Sequence, residues 1–327
     1  MFPQITPRVY KLSETQLYSE AFHREGYTVI EIPISSQAVQ VQFVKDLQQI
    51  NSDITLENLW SLKQGQYYPD SRMNGLIGEY GMSQCDSAWM VRTNHGIQSV
   101  FQNLLNCKDL VCSMDAIGFS TDNEVSTNLR WLHIDQNKNL PGGEILSIQS
   151  IFYAEDVPED PDGLYACTVL VPGSHISKGG SSAVYGKSHF CMMEEEEKGA
   201  VRLRIKAGQL LVFNSYLVHQ GWHGRHRLCY MVSYGKKSDR TEEARRRKVL
   251  MYLCGHRSTH WSQYGHLHGY KYLPDESWPW RVVKPTLRDA GELSDWDLFE
   301  SDLYDVGTDW YSPEYDNYIP VNRLVLL

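Results

Sequence analysis

Leu129-Arg-Trp-Leu-His-Ile-Asp135 is an apolar run that closes on a His-x-Asp pair. In an extended strand, residues i and i+2 project from one face, so His133 and Asp135 become neighbouring ligands if this run is β. A helix would need the i, i+4 spacing of the zinc proteases instead. A third candidate, His219, comes much later, just beyond the strand-like Leu210-Leu-Val-Phe-Asn214. Two histidines and one carboxylate are the ligand set of a mononuclear non-haem Fe(II) centre with open coordination positions. The competing reading is two histidines and an aspartate lying unrelated in a β-rich domain, because His-x-Asp recurs by chance in chains of this size.

Outward from this run, residues 112 to 235 are a series of short apolar stretches separated by turn residues. They include Ile145–Ala154, Cys167–Val171, Val201–Ile205, Leu210–Asn214 and Arg227–Tyr234. Such punctuation predicts a sandwich, jelly roll or barrel. Before it, 14–26 reads as a helix stopped by Gly26, Tyr27–Pro33 as a strand, and 37–50 and 96–107 as amphipathic helices. After it, 239–253 reads as a helix with Glu242 and Glu243 at its start and Arg245-Arg-Arg-Lys248 further along, an order that suits the helix dipole. Residues 51–95 show no clear pattern. The expected organisation is an N-terminal helical and irregular part (1–111) packing on the barrel, a β core (112–238), and a C-terminal helix with an acidic aromatic extension (239–327), together one structural domain.

Composition narrows the functional classes. A chain of 327 residues with 42% hydrophobic content can bury a large core. Its twenty Tyr and nine Trp suit β structure. A net charge of −9 argues against a dedicated nucleic-acid binder. The seven cysteines contain no C-x-x-C pair and read as reduced thiols of an intracellular, cytoplasmic protein. No secretory h-region and no run of membrane-spanning length is seen, so a membrane span is not expected.

Three further stretches carry a family resemblance. Asp162-Gly-Leu-Tyr-Ala-Cys-Thr-Val-Leu-Val-Pro-Gly-Ser-His175 resembles the G-x-L…V-P-G-S-H signature of the phytanoyl-CoA dioxygenase family. Lys206-Ala-Gly-Gln-Leu-Leu-Val-Phe213, leading to His219, resembles that family's G-D-L-L-x-F…H strand, with Gln209 in place of the usual acid. Phe22-His-Arg-Glu-Gly-Tyr-Thr-Val-Ile30 is similar to its N-terminal F-x-x-x-G-Y-x-V-I. With the triad, four matches in the family's order span roughly residues 14–235. The resemblance implies a mainly β protein with flanking helices, a double-stranded β-helix (a cupin-like jelly roll). It also implies Fe(II) held by His133, Asp135 and His219, with 2-oxoglutarate and O2 as cosubstrates. Oxidative decarboxylation to succinate and CO2 would then be coupled to hydroxylation of a substrate C–H bond. In related halogenases a small residue replaces the carboxylate, so the presence of Asp135 favours hydroxylation. The family further calls for a basic residue beyond the distal His to grip the 2-oxoglutarate C5 carboxylate, a task suited to the planar fork of Arg. Arg227, which opens an apolar strand, is preferred over Arg225 in the preceding turn.

Other residues enter with two readings each. Gln149, pointing inward by strand alternation, is a candidate for the cosubstrate's other carboxylate. Trp89 and Arg92 are candidates for substrate contact, against core packing and a surface ion pair. His175 reads as structural rather than ligating. A zinc face on His219, His223 and His226 is opposed by Gly221 and Gly224, which interrupt a helix there. His256, His260, His266 and His268 read as loop histidines, with a structural zinc site as the sharper alternative. Glu194–Glu197 reads as a solvated loop, and the basic run 245–248 as a helix face rather than a nucleic-acid patch. The substrate expected is a small or lipid-like molecule. The alternatives are an oxygenase acting on a protein or nucleic acid, and a cupin-like binding protein without turnover.

Overall fold

The computed structural model describes residues 1–63, 75–77, 81–125, 131–136, 147–177, 183–184, 191–192, 198–253, 255–263 and 313–327. Among these residues the strands are, in chain order, β1 (Gln4–Ile5), β2 (Val9–Lys11), β3 (Tyr27–Glu31), β4 (Leu76–Ile77), β5 (Leu110–Cys112), β6 (Ile117–Ser120), β7 (His133–Ile134) and β8 (Ile148–Tyr153). There follow β9 (Cys167–Leu170), β10 (Ala183–Val184), β11 (Cys191–Met192), β12 (Val201–Leu203), β13 (Gln209–Asn214), β14 (His219–Trp222), β15 (Arg227–Met231) and β16 (Tyr234–Lys236). The longer helices are α1 (Thr15–Glu25), α2 (Ser36–Gln48), α3 (Asp86–Arg92), α4 (His95–Leu105) and α5 (Glu242–Leu253).

Two sheets face each other in a jelly roll. One runs β1-β12-β9-β14-β7-β11-β10; the other runs β2-β3-β13-β8-β15-β6-β4, with β16 and β5 joined to it beside β8. Side-chain alternation sorts the second sheet into an inner and an outer face. Ile151 and Tyr153 of β8, Leu211 and Phe213 of β13, and Cys229 of β15 pack with Cys167, Val169 and Leu203 from the opposite sheet. Their neighbours Phe152, Leu210, Val212, Leu228 and Tyr230 pack outward against Val39, Phe43 and Leu47 of α2 and Val249 and Leu250 of α5. The period of two therefore builds two cores, one between the sheets and one under the helices.

The local signals read from the sequence hold for α1, α2, α4 and α5, whereas α3 forms within the 51–95 stretch that showed no pattern. α1 stops where Gly26 takes φ +80°, a left-handed conformation that glycine adopts without a Cβ penalty. α2 and α4 are capped by Ser35 and Asn94, whose side chains accept from Ala38 N and Ile97 N. The strand expected to lead into His133 is described only from Trp131 onward; Leu129 and Arg130 lie outside the described residues, as do Glu194–Glu197, His266 and His268. The N-terminal stretch adds β1 to one sheet and β2, β3 and β4 to the other, so it shares strands with the jelly roll as well as packing on it. No disulfide occurs among the described residues: Cys85, Cys112, Cys167 and Cys229 are buried thiols and Cys107 is partly exposed. No helix among them is long and apolar enough to cross a membrane.

The basic run of α5 is neutralised where it stands. Arg245 pairs with Glu242 at 3.1 Å and Asp316 at 3.0 Å, Arg246 reaches Glu242 at 3.4 Å, and Arg247 pairs with Glu243. Lys248 is buried and donates to the carbonyls of Cys112 (2.6 Å) and Ser262 (3.0 Å), tying α5 to β5 and to the segment beyond it. Burial, with the charges of Arg240 and Arg92, brings its ammonium down to about 7 from 10.5. Between those values the unfolded chain binds more protons than the native one, so this group makes stability rise with pH. Lys248→Met is expected to flatten that rise between about pH 7 and 10.5, as measured by chemical denaturation of wild type and variant across the range.

Candidate metal centre

Antiparallel pairing brings the distant histidines together. His219, the first residue of β14, lies directly opposite His133 of β7 in the same sheet. They are therefore side by side along one sheet rather than facing each other across the roll. Asp135, two residues past His133, falls on the same face. The three side chains are buried, and their ligand atoms lie within 4.8 Å of one another. His133 Nε2 is 3.4 Å from Asp135 Oδ1, and His219 Nε2 is 3.2 Å from Asp135 Oδ2. Each imidazole is oriented by the backbone two residues before it: His133 Nδ1 lies 3.0 Å from Trp131 O and His219 Nδ1 2.8 Å from Leu217 O. A carbonyl can only accept, so Nδ1 carries the proton and the bare Nε2 atoms converge as ligands.

The turn before His219 holds the other arm of the site. Asn214 Oδ1 accepts from Tyr216 N at 2.9 Å, a local Asx closure. Ser215 O then accepts from both Asp135 N (3.0 Å) and Gln136 N (3.1 Å), and Ser174 Oγ accepts from Val218 N at 2.9 Å. Rings enclose the histidines: Trp131 stacks on His133 at 4.5 Å and 15°, and Phe213 lies 4.7 Å from His219. Trp131 is itself anchored, its indole N–H donating to Gly221 O at 3.1 Å.

Burial alone would raise the Asp135 carboxyl, but the charges of His260, His133 and His219 outweigh it and hold it well below the carboxylate range. Burial likewise opposes charge on His219, and Asp135 overrides it upward. A carboxylate kept ionised among neutralisable imidazoles is the donor set a divalent cation needs. His260 comes from the segment after α5 and is not one of the clustered candidate ligands. Among the described residues no second cluster of three candidate ligands occurs. His226 stacks on Trp60 at 4.1 Å and pairs with Asp122 at 2.9 Å, away from the triad's ligand set. His175 Nε2 lies 3.0 Å from His23 O, tying the Pro-Gly-Ser-His turn to the end of α1, so its part is structural.

Arg227 opens β15 and points between the sheets. It is 5% exposed, and its Nε donates to Cys229 Sγ at 3.0 Å. No carboxylate among the described residues pairs with it, whereas the other buried arginine of this core, Arg202, is bound to Asp160 at 2.7 Å. A buried guanidinium without an anion is costly unless a ligand supplies one. Around it burial keeps the groups neutral, with Cys167 raised to about 12; burial and then the charge of Arg227 lower His223 to about 4. Arg225, the alternative, lies in an exposed turn with its Nε on Glu124 O at 3.4 Å.

Three further candidates are placed as follows. Gln149 does face inward, but its amide donates to Asp135 Oδ2 (2.7 Å) and Ser215 Oγ (3.2 Å). Both of its N–H groups are thus spent on the triad's surroundings rather than left for a cosubstrate carboxylate. Trp89 is buried in the outer core, its indole N–H on Gln84 Oε1 at 3.0 Å and its ring against Tyr252 at 5.4 Å. Arg92 is equally buried, donating to Ser83 O and to Asp115 O (2.7 Å). Neither is open to a substrate, and Arg92 forms no surface ion pair.

Residues 143–223 match the model of the phytanoyl-CoA dioxygenase (PhyH) family, which bears out the resemblance over that segment. The match takes in His219 and the Pro-Gly-Ser-His turn and lies between Asp135 and Arg227. No curated protein matches the chain. Solved structures that it resembles include the epimerase SnoN in complex with Fe3+, alpha-ketoglutarate and nogalamycin RO, at TM-score 0.49 and 13% identity, covering 69% of this chain and 84% of that one. The carbocyclase SnoK from nogalamycin biosynthesis gives 0.45 and 13%, covering 70% and 87%. EctD from S. alaskensis with 2-oxoglutarate and 5-hydroxyectoine gives 0.45 and 16%, covering 74% and 85%.

Gly118 lies where a Cβ would come 2.6 Å from Cys229 Sγ and 3.0 Å from Arg227 Nε. Gly118→Ala is expected to cost about 1–3 kcal/mol of stability, as overpacking does. Thermal denaturation should show a lowered midpoint, partly restored in the double variant with Cys229→Ala, which removes the nearer atom.

Proposed function

We propose that this chain is an Fe(II)- and 2-oxoglutarate-dependent oxygenase that hydroxylates a C–H bond of a small or lipid-like molecule. The observation that carries the reading is the buried triad of His133, Asp135 and His219, with both Nδ1 atoms anchored and both Nε2 atoms turned to the carboxylate. The triad would hold the iron, and Arg227 would hold the distal carboxylate of 2-oxoglutarate. When bound together with O2, these groups supply oxidative decarboxylation to succinate and CO2, coupled to oxidation of a C–H bond.

What the protein's own residues contribute is orientation and exclusion of water. Trp131 and Phe213 close the faces of the two imidazoles against solvent. The Ser215 carbonyl holds the backbone of Asp135 while the following turn aims His219. Arg227, buried with Cys229 as a hydrogen-bond partner, offers a fixed positive charge to an anion entering between the sheets. An intact carboxylate at Asp135 supports hydroxylation over halogen transfer. A buried Arg227 with no carboxylate partner among the described residues speaks against a binding protein without turnover. The acid-paired arginines of α5 remove the feature that pointed to a nucleic-acid substrate.

Anaerobic addition of Fe(II) and 2-oxoglutarate should produce a weak visible charge-transfer band in wild type and none in His133→Ala; identical spectra for the two would sink the reading. Arg227→Met is expected to weaken 2-oxoglutarate binding by about 2–5 kcal/mol, the range for one partner of a buried charge pair. The same titration measures it, with Fe(II) binding retained. Succinate release across a metabolite panel, with labelled O2 tracked into product, then identifies the substrate and the outcome at carbon.

A further inference from the structure

Gln149 sits on β8 opposite Phe213 of β13, on the inward face it shares with Ile151 and Tyr153. From the second sheet it reaches across the roll to a residue that follows β7 of the first. Its Nε2 donates to Asp135 Oδ2 at 2.7 Å and to Ser215 Oγ at 3.2 Å. Ser215 in turn receives Asp135 N and Gln136 N on its carbonyl at 3.0 and 3.1 Å. One side of Asp135 is therefore held by backbone and the carboxylate itself by an amide, all away from bulk water.

A carboxylate turns about a broad, roughly two-fold torsion, so backbone anchoring alone leaves free the choice of oxygen presented to a cation. The amide removes that freedom. Gln149 holds Oδ2, which also faces His219 Nε2 at 3.2 Å, while Oδ1 faces His133 Nε2 at 3.4 Å. We infer that Gln149 is a positioning residue for the metal: it locks the rotation of the Asp135 carboxylate, keeping Oδ1 on the His133 side and Oδ2 on the His219 side, and through Ser215 it couples that carboxylate to the turn that aims His219. The inference rests on the triad being a metal site. It assigns Gln149 neither to substrate nor to cosubstrate.

The physical consequence is a site whose geometry is set before the cation arrives. Outer-shell partners of metal ligands typically contribute 10–100-fold in affinity. Gln149→Met keeps the length and bulk of the side chain but removes the donor; Gln149→Leu does so with a different shape. Co(II) serves as the probe, since its visible ligand-field bands report coordination number without any turnover. In the full chain under anaerobic conditions, wild type is expected to bind Co(II) with a defined band pattern that His133→Ala lacks.

Both Gln149 variants are expected to bind Co(II) about 10–100-fold more weakly. Their bands should be shifted from the wild-type pattern, as for a carboxylate free to rotate, while the thermal midpoint of the metal-free protein stays near wild type. If the variants match wild type in affinity and spectrum, the inference is overturned while the triad stands. Metal-free variants that are both strongly destabilised would make Gln149 a structural residue and overturn it as well. Failure of wild type to bind Co(II) would instead remove the metal site itself, and the inference with it.

Discussion

The pairing of β14 with β7 is the constraint on which the rest of this molecule depends. It places His219 directly opposite His133, and the pleat does the remainder, because Asp135 two residues on must share their face. A slip of one residue would turn His133 and Asp135 to the other side of the sheet and leave His219 alone. The register is defended from several directions. Ser215 O takes two backbone N–H groups from 135–136, Trp131 N donates to Gln220 Oε1 at 2.9 Å, and β9 pairs along the whole of β14. These contacts are polar, buried and mutually supporting, which is the condition under which such networks specify one arrangement.

Division of labour between the sheets follows from the same geometry. The sheet with β7 and β14 carries the ligands; the one with β8 and β15 carries the groups that face them, Gln149 and Arg227. The inner core between the sheets is mostly apolar, so the few polar groups in it stand out by their partners. Arg202 has Asp160, Gln149 has Asp135, Tyr153 has Thr168 at 2.7 Å, and Arg227 has a thiol. Residues of α2 and α5 belong to the outer core, on the other face of the second sheet.

Much of this was legible in the chain itself. Period-two apolar runs announced the strands, Gly26 announced the end of α1, and the i, i+2 spacing of His133 and Asp135 already required a strand. That Arg227 heads a buried strand and Arg225 an exposed turn was readable from the apolar run that follows Arg227. Trp89 and Arg92 failed as substrate contacts because position in the chain says nothing about which side of a helix a core will claim. α3 is packed on both sides, against the second sheet's outer core and against Tyr252 of α5.

What the sequence by itself determined was chemistry and local form: which residues can bind a cation, which stretches alternate, and where helices start and stop. These depend on side-chain type and on contacts only a few residues apart. The tertiary structure alone decided partnership. That His219 lies opposite His133 and that Gln149 spends its amide on Asp135 are facts of strand register and chain crossing. They join residues far apart in the chain, where no local propensity acts.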